Sequence, residues 1–157
     1  MHSNINANST HSIASYGKIF CGNSSYSKKI FTLQKRIIRI MVGAHPRTSC
    51  RRLFKKFEIL TVPSQYIHSL MSFFIGNQEK FQTNSSVHNI NTRNKHHLHR
   101  PVANLSCFQN GASYSGIRIF NSLPQSITNL KNEKTQFKVA IKQRQSFSHK
   151  LKQQLTW

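Results

Sequence analysis

Lys28, Lys29, Lys35, Arg36 and Arg39 fall on one arc when the chain around them is wound at about 100° per residue. Arg47, Arg51, Arg52, Lys55 and Lys56 follow closely and extend the same positive field. Ammonium and guanidinium groups arranged in this way do one kind of chemistry well: they contact phosphate oxygens and release the counterions held there. The plain alternative is a solvated helix face. Such faces normally intersperse glutamates with the cations, and none lies between Lys28 and Lys56. Like charges one turn apart repel mildly, so an anionic partner explains the pattern better.

A second group lies in Asn91 to Arg100 (NTRNKHHLHR), where Arg93, Lys95 and Arg100 accompany His96, His97 and His99. With Cys107 beyond them, the histidines invite comparison with a zinc site. Their spacing matches no zinc pattern, and a closed tetrahedral site needs an ordered scaffold. A basic loop that touches phosphate is the reading adopted, and neither a metal nor a cofactor is expected. Aromatic side chains interleave with cations at Tyr16–Lys18, Tyr26–Lys28 and Phe54–Lys55. They have the chemistry to stack on bases, although at helical spacing aromatics serve more often as core.

The same composition argues against catalysis. The 157 residues carry 23 Lys+Arg against 3 Asp+Glu, a formal net charge of +20. All the acids are glutamates, Glu58, Glu79 and Glu133, and aspartate is absent. Two-metal phosphoryl transfer needs clustered carboxylates, glycoside hydrolysis needs a facing pair, and a Ser–His–Asp triad needs its aspartate. No glycine-rich phosphate loop is present among the six glycines. Cys50 sits beside Arg51 and Arg52, but no histidine partner is assignable and a lone thiol near cations is usually inert.

Length allows roughly one domain of ordinary size. The hydrophobic fraction of 37% is below the roughly 45–50% of common globular chains, yet eleven Phe and four Tyr can supply a modest core. Cys21, Cys50 and Cys107 are odd in number and far apart, which favours a reducing compartment over a disulfide framework. Met1 to Thr10 is polar, without the apolar run of a signal peptide, and no stretch approaches the roughly 20 apolar residues of a membrane span. The expectation is an intracellular protein, nuclear or cytoplasmic, without membrane or small-molecule partners.

These groups must be positioned by helices. Lys28 to Val42 sorts into an apolar arc centred on Ile30, Leu33, Ile37, Ile40 and Met41 and widened by Phe31 and Ile38, opposite the cations. Gly43 suits the position after a helix where φ turns positive, and Pro46 bars continuation. Thr48 or Ser49 caps a second helix through Phe57 that buries Leu53, Phe54 and Phe57. Thr61 caps a third, with Pro63 in its first turn and Ile67, Leu70, Met71, Phe74 and Ile75 on its inner face. Gln82 to Ser106 reads as a long, partly ordered polar loop. Ser113 to Leu123 is a short helix or strand ended by Pro124. Asn129 to Trp157 returns to helical spacing, with Phe137, Ala140, Ile141, Phe147, Leu151 and Leu155 inside. The fold class expected is mainly α: a small helical bundle with a long polar loop and a C-terminal amphipathic helix. Its divisions are a disordered tail over 1–12, a basic helical region over 13–81, the loop over 82–106 and a C-terminal helical region over 107–157.

Several of these stretches together resemble a known family. The run SYGKIFCGNSSYSKKIFTLQKRIIRIMVGAHPRTSCRRLFKKFEILTVPSQYI is similar to the region after the polymerase core in reverse transcriptases of non-LTR, jockey-like retrotransposons. NTRNKHHLHRPVANLSCFQNGASYSGIRIFNSLP resembles the C-terminal stretch of the same proteins. The shared marks are Thr92-Arg93, Leu98 to Pro101, Tyr114-x-Gly116 and Phe120-Asn121-x-Leu123-Pro124, then a helix containing Phe137 and Lys138. The resemblance covers roughly residues 11–145. It departs at Cys21, where the family often carries an aromatic, and at Phe120, where the family's aromatic is commonly Trp. The family's paired polymerase aspartates and its endonuclease have no counterpart here. The resemblance implies a thumb-like helical remnant that holds a template–primer backbone, with RNA or RNA–DNA duplex as partner and no catalysis of its own. Two other readings stand beside it: a self-associating module, and a degenerate mobile-element remnant without selected function.

Overall fold

Gly43 ends the first helix as its position in the sequence requires. In the computed structural model, which describes residues 24–89 and 91–145, α1 runs Tyr26–Met41 and Gly43 has φ 61°. The Gly43 amide donates to the Ile40 carbonyl and the Ala44 amide to the Arg39 carbonyl, the paired bonds of a Schellman end. The expected tail over 1–12, the stretch from Ile13 to Gly22, and the inward positions Phe147, Leu151 and Leu155 lie outside the described residues.

Eight α-helices follow one another among the described residues, with no strand. After α1 come α2 (Cys50–Lys56), α3 (Val62–Gly76), α4 (Asn84–His88), α5 (Ser106–Gln109), α6 (Ala112–Asn121), α7 (Gln125–Thr128) and α8 (Lys134–Gln145). The mainly helical class is as the sequence indicates. The chain divides into two compact units, the first ending at Ser69 and the second beginning at Leu70, within α3.

In the first unit, α2 packs on α1 around Ile38, Cys50 and Phe54, with Phe31, Leu53 and Ile59 at the edges. The Phe31 and Phe54 rings stack with centroids 6.2 Å apart. Which apolar residues of α1 are buried differs from expectation. Ile38 is buried and Phe31 half-buried, whereas Ile30, Leu33, Ile37, Ile40 and Met41, the centre of the arc, are exposed. The apolar arc spans about half the helix circumference, wider than the roughly 100° a single neighbour covers, and the two turns of α2 occupy only one edge of it. Phe57 is likewise exposed rather than buried, because α2 ends at Lys56 and Glu58 takes the left-handed conformation with φ 51°. Glu58 and Ile59 close that end by donating to the carbonyls of Lys55 and Phe54.

Gln34 connects α1 to the segment entering α3. Its Nε2 donates to the Leu60 carbonyl and its Oε1 accepts from the Val62 amide, both at 2.9 Å. Thr61 caps α3 as its position predicts: its hydroxyl accepts from the Ser64 amide at 3.4 Å and donates to the Ser64 hydroxyl at 2.9 Å.

The second unit is built on the rest of α3, where Leu70, Met71, Phe74 and Ile75 are all buried. Ile117 and Ile119 of α6, Leu123, Ile127, and Phe137 and Ile141 of α8 complete its core. Burying each such side chain contributes about 1.5–3 kcal/mol before the ordering entropy is counted. Phe74 stacks on Phe81 with centroids 4.1 Å apart, and Gln78 donates to the Lys131 carbonyl at 2.7 Å. Residues 112–121 settle as helix rather than strand. Its buried residues are Ser115, Gly116, Ile117 and Ile119; the alternation of Ile117 with Ile119 fits a strand's period of two as well as a helix.

Within the polar stretch from Gln82 to Ser106 the chain folds back on itself. Thr83 and Ser86 form a capping box at the start of α4. Thr83 and Leu98 make an isolated antiparallel bridge, flanked by Asn84 N–H to the His97 carbonyl and His99 N–H to the Gln82 carbonyl. Asn121 of α6 then holds Leu98 from the other side through two bonds of 2.9 Å.

Candidate nucleic-acid interface

Ten cations of the first unit arise from α1, α2 and the turn between them. Lys28, Lys29 and Arg36 are exposed on α1, as are Arg47 in the turn and Arg51, Arg52, Lys55 and Lys56 on α2. Lys35 and Arg39 are half-buried where α1 borders α2. Arg39 Nε donates to the Thr48 carbonyl at 2.8 Å, and the Cys50 thiol donates to the Lys35 carbonyl at 3.4 Å. These two bonds seat the first turn of α2 beside the Lys35–Arg39 edge. Cations separated in sequence are thereby carried on two helices packed against each other. Only one acid, Glu58, lies among the described residues of this unit, and it is exposed.

Local contacts hold several of these cations. Lys29 Nζ lies 5.4 Å from the Tyr26 ring centroid, Lys35 Nζ 4.7 Å from Phe31 and Lys56 Nζ 5.8 Å from Phe57. A cation over a ring face keeps its charge outward while its stem covers apolar surface. Tyr26, Phe31 and Phe57 are therefore partners of lysines in this structure, whereas Phe54 lies in the core against Phe31. Tyr26 and Phe57 are also exposed, so their edges remain available for stacking. Adjacency in sequence signalled Tyr26. The Lys35–Phe31 pair was foreshadowed only by its one-turn spacing.

The other three candidate cations, Arg93, Lys95 and Arg100, belong to the second unit. Arg93 is exposed and Lys95 half-buried in the turns over 93–96, where the Lys95 carbonyl accepts from the Ser85 amide. Arg100 is exposed, with its guanidinium carbon 5.3 Å from the Tyr114 ring centroid. The structure therefore groups Lys28 to Lys56 in one unit and Arg93, Lys95 and Arg100 in the other.

Other chemistry at these places is limited by geometry. Cys50 is buried and engaged with the Lys35 carbonyl, so its sulfur is not presented to a substrate. His99 pairs with His88 at 3.2 Å between ring nitrogens. Among the described residues no group of three or more His, Cys, Asp or Glu side chains is placed to share a metal ion, and no helix is long and apolar enough to cross a membrane.

The residues that sequence reasoning missed are neutral. Gln34 and Asn121 each hold a backbone segment through both amide atoms, and neither side-chain type signals such a role by spacing. Comparison with protein-family models, curated proteins and solved structures finds no match.

Proposed function

We propose that this chain is a non-catalytic nucleic-acid-binding protein, related to the region after the polymerase core of a non-LTR retrotransposon reverse transcriptase, that grips RNA or RNA–DNA duplex by its phosphates. The observation that carries the reading is the packed pair α1 and α2, whose unit holds ten cations against one acid among its described residues. Clustering of this kind, without compensating carboxylates, costs stability through self-repulsion and is relieved by a polyanion. Backbone neutralisation accounts for affinity without sequence preference. The retrotransposon relationship rests on the run Ser15 to Ile67 and on the marks Thr92-Arg93, Tyr114-x-Gly116 and Phe120-Asn121-x-Leu123-Pro124. The absence of aspartate supports a gripping rather than a reacting role.

The test is a salt titration of binding to an RNA duplex and an RNA–DNA hybrid. The logarithm of affinity should fall linearly with the logarithm of salt. Replacing Arg51, Arg52, Lys55 and Lys56 with Gln should flatten the slope by roughly 0.9 per phosphate contact removed. Replacing Lys131, Lys134, Lys138 and Lys142 with Gln changes the net charge equally and should flatten it less. No detectable binding at low salt, or equal effects of the two sets, sinks the reading.

A further inference from the structure

The structure leaves the centre of an apolar helix face in water. Tyr26, Ile30, Leu33, Ile37, Ile40 and Met41 of α1 are 52 to 69% exposed. Tyr26, Ile30, Leu33, Ile37 and Ile40 recur at alternating steps of four and three, the seam spacing of paired helices. Ile30 and Ile37 occupy one seam position, while Tyr26, Leu33 and Ile40 occupy the other. Ile30 and Ile37 at the first position, with Leu33 between them at the second, suit a two-stranded pair with an identical helix.

We infer that this stripe is a self-association surface, on which α1 of a second copy of the chain packs in parallel. The area suffices for a small interface: the exposures leave at most roughly 700 Å² per copy, against about 600 Å² per partner at the low end of specific interfaces. Charge sets the orientation. Lys29 and Arg36 flank one border of the stripe, and Gln34 and Met41 the other. In a parallel pair each cation of one copy faces a neutral Gln34 or Met41 of its mate. In an antiparallel pair Lys29 of one copy would face Arg36 of the other, placing like charges together. Lys28, Lys35 and Arg39 lie on the opposite side of α1, clear of the seam. Pairing therefore leaves that side open, and this inference does not depend on the nucleic-acid reading.

The two associations should respond oppositely to salt. Two chains of formal charge +20 repel, so screening strengthens pairing while it weakens phosphate binding. Sedimentation of the full chain without nucleic acid should show a reversible monomer–dimer equilibrium, with more dimer as salt rises. The double variant Leu33→Gln/Ile37→Gln should weaken dimerisation at least tenfold with unchanged circular dichroism and melting of the monomer. Under mild oxidation a Leu33→Cys variant should link the two position-33 sulfurs, identified by mass spectrometry. A wild-type monomer at all salts, a dimer untouched by the double variant, or a dimer in which the position-33 sulfurs do not link to each other overturns the inference. So does a concentration-independent loss of melting temperature in the double variant, which would show that residues of the same chain cover the face. Binding of RNA by the monomeric variant would leave the proposed function standing, so failure of either idea is separately readable.

Discussion

The side-chain amide of Asn121 pairs with both backbone groups of Leu98: Oδ1 accepts from the Leu98 amide and Nδ2 donates to its carbonyl, each at 2.9 Å. Leu98 is simultaneously bridged to Thr83. Asn121 therefore acts as a short surrogate strand that closes the fold-back between residues 83 and 98. Asn121→Ala should destabilise the second unit by about 1–3 kcal/mol, since both Leu98 groups lose a half-buried partner. Asn121→Asp should do nearly the same, because a carboxylate keeps the acceptor and loses the donor. Urea unfolding and hydrogen exchange at the Leu98 amide measure both. Unchanged midpoints and protection would refute the role.

Gln34 repeats the device in the first unit, with Leu60 and Val62 as its two backbone partners. Gln34→Ala is expected to cost about 1–3 kcal/mol and to speed exchange of the Val62 amide. Gln34→Glu should retain Val62 protection while the Leu60 carbonyl faces an anion. A variant as stable as the wild type, with Val62 exchange unaltered, would contradict this assignment.

Gly116 lies against the ring of Phe74, so close that a Cβ there would overlap the ring carbons. Phe74 is itself buried and stacked on Phe81, which leaves it little room to yield. Gly116→Ala should destabilise by about 1–3 kcal/mol through overpacking. The penalty should shrink in a Phe74→Leu background, and a double-mutant cycle reads the difference. Additive effects would mean that the two residues do not oppose each other.

Glu58 holds φ 51° at the end of α2, a conformation that glycine adopts at no steric cost. Glu58→Gly should raise stability by about 1 kcal/mol, seen as a higher melting temperature. A lower melting temperature would show that the glutamate side chain contributes more than its backbone strain removes.

Much of this is legible in the sequence. Gly43, Thr61 and Pro63 mark helix ends by local stereochemistry alone, and the inner residues of α3 follow from period. Phe137 and Ile141 on α8 did too, one turn apart. The polar stretch from Gln82 to Ser106 was harder. Its order comes from the Thr83–Leu98 bridge and the Asn121 clasp, pairings distant in sequence that no local pattern encodes.

The sequence by itself determined the helical class, the end of α1 at Gly43, the start of α3 after Thr61 and the opposition of cations to apolar residues around α1, because backbone sterics and helical period act locally. Only the tertiary structure decided which part of α1's apolar arc is covered. A seven-residue α2 reaches Phe31 and Ile38 and stops short of Ile30, Leu33 and Ile37. Period states that an arc is apolar; which edge of it a neighbour covers depends on where that neighbour docks, and that is settled by packing and by bonds such as Arg39 to Thr48.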